Sequence, residues 1–173
     1  MMNDIPAAAA KVVLKLGNDI STDAIYPGRF MATVLPSETP QFAFADMGEF
    51  NARVKKNDFP KGSVIVAGKN FGCGSSREQA ASCLKGPDFT VVARDFARIF
   101  LQNSINLGLN TVICPGIEAN EGDEVQILGG EAVNLTSGKR FPVQPLPKAR
   151  QAIIDAGGLV AYTRKLLFEA KGR

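Results

Sequence analysis

The most informative absence in this sequence is histidine, since none of the 173 residues is a histidine. A chain without histidine cannot by itself form a Ser-His-Asp triad, a Cys-His pair or a His-ligated metal site. Acid–base chemistry would therefore need Asp, Glu, Lys or Tyr of this chain, or proton carriers that lie on another chain.

Cysteine is scarce and widely spaced. The three cysteines are Cys73, Cys83 and Cys114, with no C-x-x-C pair among them. An odd number at such spacing favours neither a disulfide framework nor a zinc site, so we predict no metal ligands in this chain. The default location is a reducing cytoplasm. We expect Cys83 and Cys114 in the core and Cys73 to pack as a small residue.

Strong charge and long apolar runs are also missing. The net charge is +3, from 20 Lys and Arg against 17 Asp and Glu, which is too mild for a nucleic-acid partner but allows a local basic pocket for a small anion. No apolar run is long enough to span a membrane, and we expect no signal peptide at residues 1–10. The hydrophobic share of 45% is typical of a globular protein.

The length suits one domain, which we assign to residues 11–173 after a flexible N-terminal arm at residues 1–10. The first part alternates strands and helices, and the last part contains three short strands and two closing helices. The fold class is therefore α/β, with an antiparallel β appendage. Residues 21–40 are irregular and rich in Pro and Gly, which is typical of a functional or mobile loop. The predicted strands are 12–14, 63–67, 89–93, 110–114, 124–128, 132–135 and 141–143, and the predicted helices are 42–56, 76–84, 96–107, 149–156 and 159–168.

A glycine-rich segment, residues 72–78 (GCGSSRE), joins a predicted strand to a predicted helix. We expect Ser75 or Ser76 to cap this helix, whose first N–H groups favour an anion. Arg77, in the predicted first turn, adds a planar donor fork that suits a carboxylate. A capped helix with a solvent-facing arginine is equally compatible with the pattern. The segment matches neither a Walker A loop nor G-x-G-x-x-G, which disfavours nucleotide binding.

Residues 70–81 (NFGCGSSREQAA) resemble the signature of the aconitase swivel domain, which stands alone as the small subunit of 3-isopropylmalate dehydratases. Further segments resemble the same family in the same order along residues 12–165, and such ordered matches are more specific than any one motif. The resemblance implies a single swivelling β/β/α domain, as in the aconitase C-terminal domain. The further segments are 17–25 (GNDISTDAI), 94–100 (RDFARIF), 103–109, 121–123 and 156–160.

The resemblance also implies a hydro-lyase that removes and re-adds water on a short hydroxy acid. In this family a [4Fe–4S] cluster acts as Lewis acid on the departing hydroxyl, and the large partner subunit holds it. The chain would be active only with that subunit, on a 2- or 3-hydroxy dicarboxylic acid, with 3-isopropylmalate of leucine biosynthesis as the leading substrate. Alternatives are a related malate, such as 2,3-dimethylmalate or citramalate, or a non-catalytic anion-binding scaffold subunit.

Site residues follow from the same resemblance. Ser75 matches the base that takes a proton from the carbon next to a carboxylate, and a serine needs nearby amides and a cation for this role. Arg77 matches the arginine that binds a substrate carboxylate. For Thr22 a local turn is as compatible as a binding role. The remaining predicted substrate-binding residues are Ser76, Asp23, Thr22 and Arg29.

Residues 27–33 (PGRFMAT) correspond to the segment that selects the substrate's side group, and the predicted specificity residues are Phe30, Met31, Ala32 and Thr33. Relatives that bind an extra carboxylate tend to place Arg where Ala32 stands. Met31 and Ala32 are apolar, and an unpaired charge would be costly beside them, so we predict a hydrophobic substituent. Gln79 occupies a position where the family usually has histidine, and we expect a supporting role there.

Overall fold

The computed structural model describes residues 8–171 as a seven-stranded mixed sheet with helices packed against it. The strand order is β4-β3-β2-β1-β5-β6-β7. The strands are β1 (Ala10–Lys15), β2 (Val64–Ala67), β3 (Thr90–Ala93), β4 (Asn110–Ile113), β5 (Glu124–Leu128), β6 (Glu131–Asn134) and β7 (Arg140–Pro142). The α-helices are α1 (Thr22–Ile25), α2 (Gly48–Lys55), α3 (Glu78–Lys85), α4 (Arg98–Leu107), α5 (Lys148–Asp155) and α6 (Leu159–Lys171).

Strands β1 to β4 form the parallel half of the sheet. Every residue of β2 and β3 is buried, as expected for parallel strands that are covered on both faces. Their sequences, VIVA and TVVA, are rich in the β-branched residues that pack well on a pleated surface. The predicted strands in this half are confirmed to within one or two residues at their ends.

Strands β5 to β7 form the antiparallel half, which pairs with the parallel half through β1. After β7, Gln144 makes an antiparallel bridge with Ile113 of β4, and its N–H donates to the Ile113 carbonyl at 2.8 Å. The two ends of the sheet therefore meet, and the sheet curls around an interior. This mixed, curled sheet with helices outside agrees with the predicted swivelling α/β domain.

The curled sheet separates two cores. Alternate residues of a strand point to opposite faces, so Ile65 and Ala67 of β2 face one core and Val64 and Val66 face the other. We call the first the helix-side core, because residues of α2, α3 and α4 complete it, and the second the inner core. The inner core consists of Val12, Val64, Val66, Val92, Val112, Cys114, Ile117, Ala119, Val125 and Ala132.

The predicted helix at 42–56 was wrong at its start, since α2 begins at Gly48. Before it, Thr39–Phe42 forms a 3-10 turn, and Phe44 adopts a left-handed φ of 48°. The Asn51 amide donates to the carbonyls of Gln41 at 2.9 Å and Ala43 at 2.8 Å, which fixes this non-helical path. The apparent helical spacing of apolar residues arose because two separate elements face the same core.

The predicted irregular region at 21–40 contains α1 and a 3-10 turn at Gly28–Phe30. Most of the predicted flexible arm, residues 1–7, lies outside the described residues, and β1 begins at Ala10, the last residue of that arm. Residues 172–173 also lie outside the described residues. Within residues 8–171, no helix has both the length and the apolar character that a membrane span requires.

Candidate active site

Three motif segments converge at the carboxyl edge of the parallel half. Residues 16–25 follow β1, residues 68–77 follow β2 and residues 94–97 follow β3. Parallel bridges between Ser21 and Cys73 and between Phe71 and Phe96 extend the pairing beyond the strands. In α/β sheets this edge is where ligands bind, because loops from neighbouring parallel strands meet there.

Asn70 ties the three segments together. Its side-chain amide donates to the Asp19 carboxylate at 2.8 Å, and its backbone N–H donates to the Asp95 carboxylate at 2.6 Å. Asn70 and Asp19 both have left-handed φ values, 58° and 56°, which asparagine and aspartate tolerate better than most residues. The polar residues of the family motifs thus hold the loops in one arrangement before any ligand is present.

Gly72 allows the chain to pass close to α4. Its φ is +83°, and a Cβ atom there would lie 2.2 Å from the ring of Phe100, which is buried. The Gly72 N–H donates to the Ile20 carbonyl at 2.7 Å, and the next carbonyl, that of Cys73, accepts from the Thr22 N–H at 2.7 Å. The turn that presents Ser75 therefore needs glycine at position 72.

The Ser75 hydroxyl lies beside the Thr22 hydroxyl. Ser75 is exposed, whereas Thr22 is 2% exposed. The Thr22 hydroxyl donates to the Ser75 carbonyl at 3.1 Å, and its oxygen lies 3.2 Å from the Ser75 hydroxyl oxygen. The local turn considered for Thr22 is instead made by Ser21, whose side chain accepts from the Ala24 N–H and caps α1. The Thr22 and Ser75 hydroxyls are thus in hydrogen-bond contact.

The prediction that Ser75 or Ser76 caps α3 was wrong, since the N-cap is Arg77 in an extended conformation without a side-chain cap bond. Arg77 therefore precedes the first turn rather than lying within it. The carbonyl of Ser75 accepts from the Thr22 hydroxyl, and that of Ser76 accepts from the Asn103 amide at 3.5 Å. Because these carbonyls are engaged by other elements, the helix begins only after them.

Arg77 forms an ion pair with Asp23 at the edge of this turn. One terminal nitrogen, Nη1, donates to Asp23 Oδ1 and also to the Tyr26 carbonyl at 3.1 Å. The hydrogen bond from Arg77, followed by that from the Gly28 N–H, holds the pKa of Asp23 below its usual value. Gly28 lies against the pair, since a Cβ atom there would be 3.2 Å from Arg77 Nη2.

Arg29 lies on the 3-10 turn at Gly28–Phe30 and pairs with a carboxylate outside the Ser75 turn. Its guanidinium donates to Asp46 Oδ1 at 2.5 Å and lies over the Phe30 ring, 4.6 Å from the centroid. The predicted specificity residues flank it: Met31 and Ala32 are exposed, and Phe30 and Thr33 are half-buried. The structure therefore brings Ser75, Ser76, Thr22, Asp23 and Arg77 together, and it places Arg29 beside them with its charge already paired.

Three residues at the site were not predicted to belong to it: Tyr26, Asp46 and Asn103. Tyr26 and Asn103 contact Arg77 and Ser76 through bonds that span 51 and 27 residues, and Asp46 lies 17 residues from Arg29. For Asn103 a signal existed, because it is a polar side chain at an apolar helical position of α4. For Asp46 and Tyr26 no local pattern marks the contact.

The Cys, Asp and Glu side chains of the described residues are spread through the fold. Among residues 8–171, no three His, Cys, Asp or Glu side chains come together in a way that could hold a metal ion. Cys83 and Cys114 are both 0% exposed, which confirms the prediction that they are core residues, and Cys73 is half-buried. Burial raises the pKa of both buried thiols, so they stay protonated at neutral pH. Gln79 lies half-buried in the first turn of α3.

Known proteins are similar to this chain over most of its length. The aconitase C-terminal domain family matches residues 31–115. A 3-isopropylmalate dehydratase small subunit from Methanosarcina acetivorans is 41% identical over 160 residues, which cover 90% of this chain and 96% of the relative. An isopropylmalate/citramalate isomerase small subunit from Methanocaldococcus jannaschii is 44% identical over 168 residues, covering 92% and 95%.

A solved structure gives the same result for the fold. The crystal structure of a 3-isopropylmalate dehydratase from Methanocaldococcus jannaschii superposes with a TM-score of 0.83 at 39% identity, covering 94% of this chain and 98% of that one. Sequence identity and coverage at this level, together with the shared fold, establish the family of the chain. The chain belongs to the family of 3-isopropylmalate dehydratase small subunits, with the fold of the aconitase C-terminal domain.

Proposed function

We propose that this chain is the small subunit of a hydro-lyase that isomerises a short hydroxy dicarboxylic acid, with 3-isopropylmalate of leucine biosynthesis as its substrate. One observation carries the proposal: a serine hydroxyl and an arginine guanidinium stand on the same tight turn at the carboxyl edge of the sheet. That turn is held by Thr22 and Asp23 from a separate segment. The names of the relatives at 41% and 44% identity support the same reaction.

Ser75 takes the role of general base. Its alkoxide removes the proton from the carbon next to a substrate carboxylate, and that electron pair forms the C=C bond as the C–O bond breaks. The hydroxyl leaves as water with a proton from an acid on the partner chain. In the second half of the reaction, water adds its OH to the carbon that lost the proton and gives its other proton to the group on the partner chain, while Ser75 returns its proton to the carbon that lost the hydroxyl. The Thr22 hydroxyl, 3.2 Å away, turns its single hydrogen from the Ser75 carbonyl to the alkoxide as that charge forms, which lowers the cost of forming it.

Arg77 binds the carboxylate next to the reacting carbon. Both of its described bonds use Nη1, and a guanidinium has five N–H donors, so donors remain for a substrate carboxylate. Asp23 acts through Arg77 as a positioning residue, because it fixes the guanidinium before substrate arrives. Such preorganisation reduces the entropy that binding would otherwise cost.

The segment from Phe30 to Thr33 receives the side group of the substrate. Met31 is 39% exposed and Ala32 is exposed, and neither offers a donor for a third carboxylate. Arg29 is exposed beside this segment, and Asp46 already balances its charge. An apolar side group is therefore preferred here over a charged one. The name of the Methanocaldococcus jannaschii relative includes citramalate, which makes a smaller malate the second candidate.

The [4Fe–4S] cluster of this reaction, which supplies Lewis-acid chemistry at the departing hydroxyl, belongs to a large partner subunit. The three cysteines of this chain are widely spaced and two of them are buried in the core. The acid–base histidines of the reaction are likewise assigned to the partner, since this chain has none. We place the assembly in the cytoplasm, where the three free thiols would stay reduced, and we expect neither nucleic acid nor membrane as a partner.

The proposal is tested by reconstitution. The full chain is mixed with its own large subunit, the cluster is restored, and turnover is measured on 3-isopropylmalate, 2,3-dimethylmalate, citramalate, homoaconitate and citrate. We expect turnover of 3-isopropylmalate above the others and none by the isolated chain. Turnover of a smaller malate alone would assign the chain to another pathway but leave the proposed mechanism unchanged. An intact complex with a full cluster that turns over none of the five acids would contradict the proposal.

Ala32→Arg tests the segment that selects the side group. We expect this variant to lose 3-isopropylmalate turnover and to gain measurable turnover of a tricarboxylate, because the new guanidinium supplies the missing carboxylate partner. The matched control is Ala161→Arg, at an exposed position on α6. If Ala32→Arg and wild type prefer the same substrate, residue 32 does not select the side group.

A further inference from the structure

Tyr26 is a fully buried residue between α1 and the segment that selects the side group. Its side chain is 0% exposed. The phenol hydrogen is shared between two carbonyl oxygens, that of Phe30 at 3.1 Å and that of Thr33 at 3.3 Å. One buried hydroxyl thus binds the two ends of the four residues from Phe30 to Thr33.

The backbone of the same residue binds Arg77. The Tyr26 carbonyl accepts from Arg77 Nη1 at 3.1 Å. Tyr26 therefore contacts the proposed carboxylate ligand with its main chain and the proposed specificity segment with its side chain. The distance between these two parts of the site is set through one residue.

Aromatic packing prevents the phenol from turning elsewhere. The Tyr26 ring lies edge-on to Phe42, with centroids 6.1 Å apart, and Phe42 stacks on Phe30 with centroids 4.2 Å apart. Burial raises the pKa of the Tyr26 phenol above its ordinary value, so the hydroxyl stays protonated and able to donate at neutral pH. The Phe30 carbonyl also accepts from the Thr33 N–H at 2.9 Å, so the phenol adds a second donor to a turn that is already hydrogen-bonded and holds it in this shape.

We propose that Tyr26 is a positioning residue for substrate choice: its phenol fixes the segment from Phe30 to Thr33 at a set distance from Arg77 and so selects the size of the side group. The inference rests on the proposed function, because it concerns the site that binds the hydroxy acid. A phenylalanine at position 26 would keep the ring packing and the backbone bond to Arg77, and it would remove only the two bonds to the segment.

The first test is substrate discrimination by Tyr26→Phe in the reconstituted complex. We expect the ratio of kcat/KM for 3-isopropylmalate to that for citramalate to fall about tenfold, the size expected when a buried hydrogen bond is lost. The fall should be expressed mainly in the KM for 3-isopropylmalate, since the isopropyl group contacts the segment and Ser75 is untouched. An unchanged ratio, or an equal loss on both substrates, would overturn the proposal.

Ser63→Ala is the matched control. The Ser63 hydroxyl is also buried and donates to a carbonyl, that of Pro60, at 2.6 Å, but it lies just before β2, at the opposite end of the strand from the site. This variant should lose stability comparable to that of Tyr26→Phe and keep the substrate ratio of wild type. If the ratio of kcat/KM values also shifts in Ser63→Ala, a general loss of stability is enough to change substrate preference, and the proposal is overturned.

Hydrogen exchange on the isolated full chain separates this inference from the proposed function. The Thr33 N–H donates to the Phe30 carbonyl at 2.9 Å and the Met31 N–H to the Gly28 carbonyl at 3.1 Å. Tyr26→Phe should speed exchange at these two amides and leave those of α3 unchanged. Unchanged exchange at both amides overturns the role of Tyr26 whatever the activity. A wild-type complex that turns over nothing instead contradicts the proposed function.

Discussion

The helix-side core and the inner core differ in the side chains that fill them. Every buried aromatic side chain within residues 8–171 belongs to the helix-side core, whereas the inner core is built mainly from valine and other small aliphatic residues. Three of the aromatic residues, Tyr26, Phe71 and Phe100, contact or directly adjoin the loops of the candidate site. The helix-side core therefore supports the site, and the inner core closes the curled sheet.

This difference explains how the exposed loops of the candidate site can be well positioned. Ser75 and Asp23 are exposed, but Gly72 of the Ser75 turn lies against the buried ring of Phe100, which cannot move without opening the core. The antiparallel half contributes no residue to the Ser75 turn. Damage to the two cores should consequently have unequal effects on stability and on the site.

Phe89→Ala should give the largest loss of stability. Phe89 is 0% exposed and packs against Phe59 and Phe50, with ring centroids 5.4 and 5.9 Å away. We expect the free energy of unfolding to fall by about 3–5 kcal/mol, because truncation leaves a cavity that rigid rings cannot fill. Urea unfolding of the full chain, followed by circular dichroism, measures it.

The comparison variant is Phe141→Ala, since Phe141 lies in β7 and is only partly buried against the inner core. Its loss should be about 1–2 kcal/mol, as less apolar area leaves water. Equal losses from the two variants would contradict the unequal roles of the two cores.

Gly72→Ala should have the next largest effect. The substitution adds a methyl group 2.2 Å from the Phe100 ring at a φ of +83°. Strain and overpacking together should cost about 2–5 kcal/mol. Gly130→Ala is the matched control on the β5–β6 turn, with a φ of +85° and no atom within 4 Å of the added methyl.

For Gly130→Ala we expect about 1–2 kcal/mol from backbone strain alone. The two variants are compared by thermal unfolding, and the activity of each in the reconstituted complex is measured below its transition. Gly72→Ala should also lose activity, because its turn presents Ser75. A Gly72→Ala chain as stable and active as Gly130→Ala would show that the close packing on Phe100 is unimportant.

The smallest expected effect is on the pH dependence of stability. The Asn120 N–H and then the Asn134 amide lower the pKa of Asp123, and the hydrogen bond from Lys139 lowers the pKa of Glu118. The unfolded chain then binds more protons than the folded one below about pH 4.5, so stability from these groups is full above that pH and is lost as the pH falls.

With no histidine in the chain, we expect a nearly constant free energy of unfolding from about pH 5.5 to 7.5. Asp123→Asn should flatten the fall below about pH 4.5 while keeping one acceptor for Asn120 and Asn134. Urea titrations across this range measure both slopes. A steep change near pH 6.5, or an identical acid slope in Asp123→Asn, would contradict this account of the charges.

The sequence predicted the strands best. Runs such as VIVA at 64–67 are apolar and β-branched throughout, which indicates buried parallel strands without reference to the rest of the chain. Three of the family motifs, at 17–25, 70–81 and 94–100, follow the carboxyl ends of the parallel strands β1, β2 and β3. The domain class and the composition of the Ser75 turn were therefore within reach of local patterns.

Long-range contacts decided what local patterns missed. The start of α3 depends on Thr22 and Asn103, which lie 53 and 27 residues from the carbonyls they bind. The pairing of Arg29 with Asp46, and of Arg77 with Asp23, is likewise a product of folding. The φ of Phe44 is fixed by Asn51 within an apparently helical stretch. Periodicity contains no information about such partners.

The central claim is that Ser75 is the base, and Ser75→Ala in the reconstituted complex tests it most directly. Ser137→Ala, at an exposed turn of the antiparallel half, is the matched control. We predict that Ser75→Ala lowers kcat for 3-isopropylmalate by about 10²–10⁴-fold, with complex formation and unfolding unchanged, and that Ser137→Ala equals wild type. A Ser75→Ala complex that keeps kcat within a few-fold of wild type would contradict the account and favour a non-catalytic scaffold subunit.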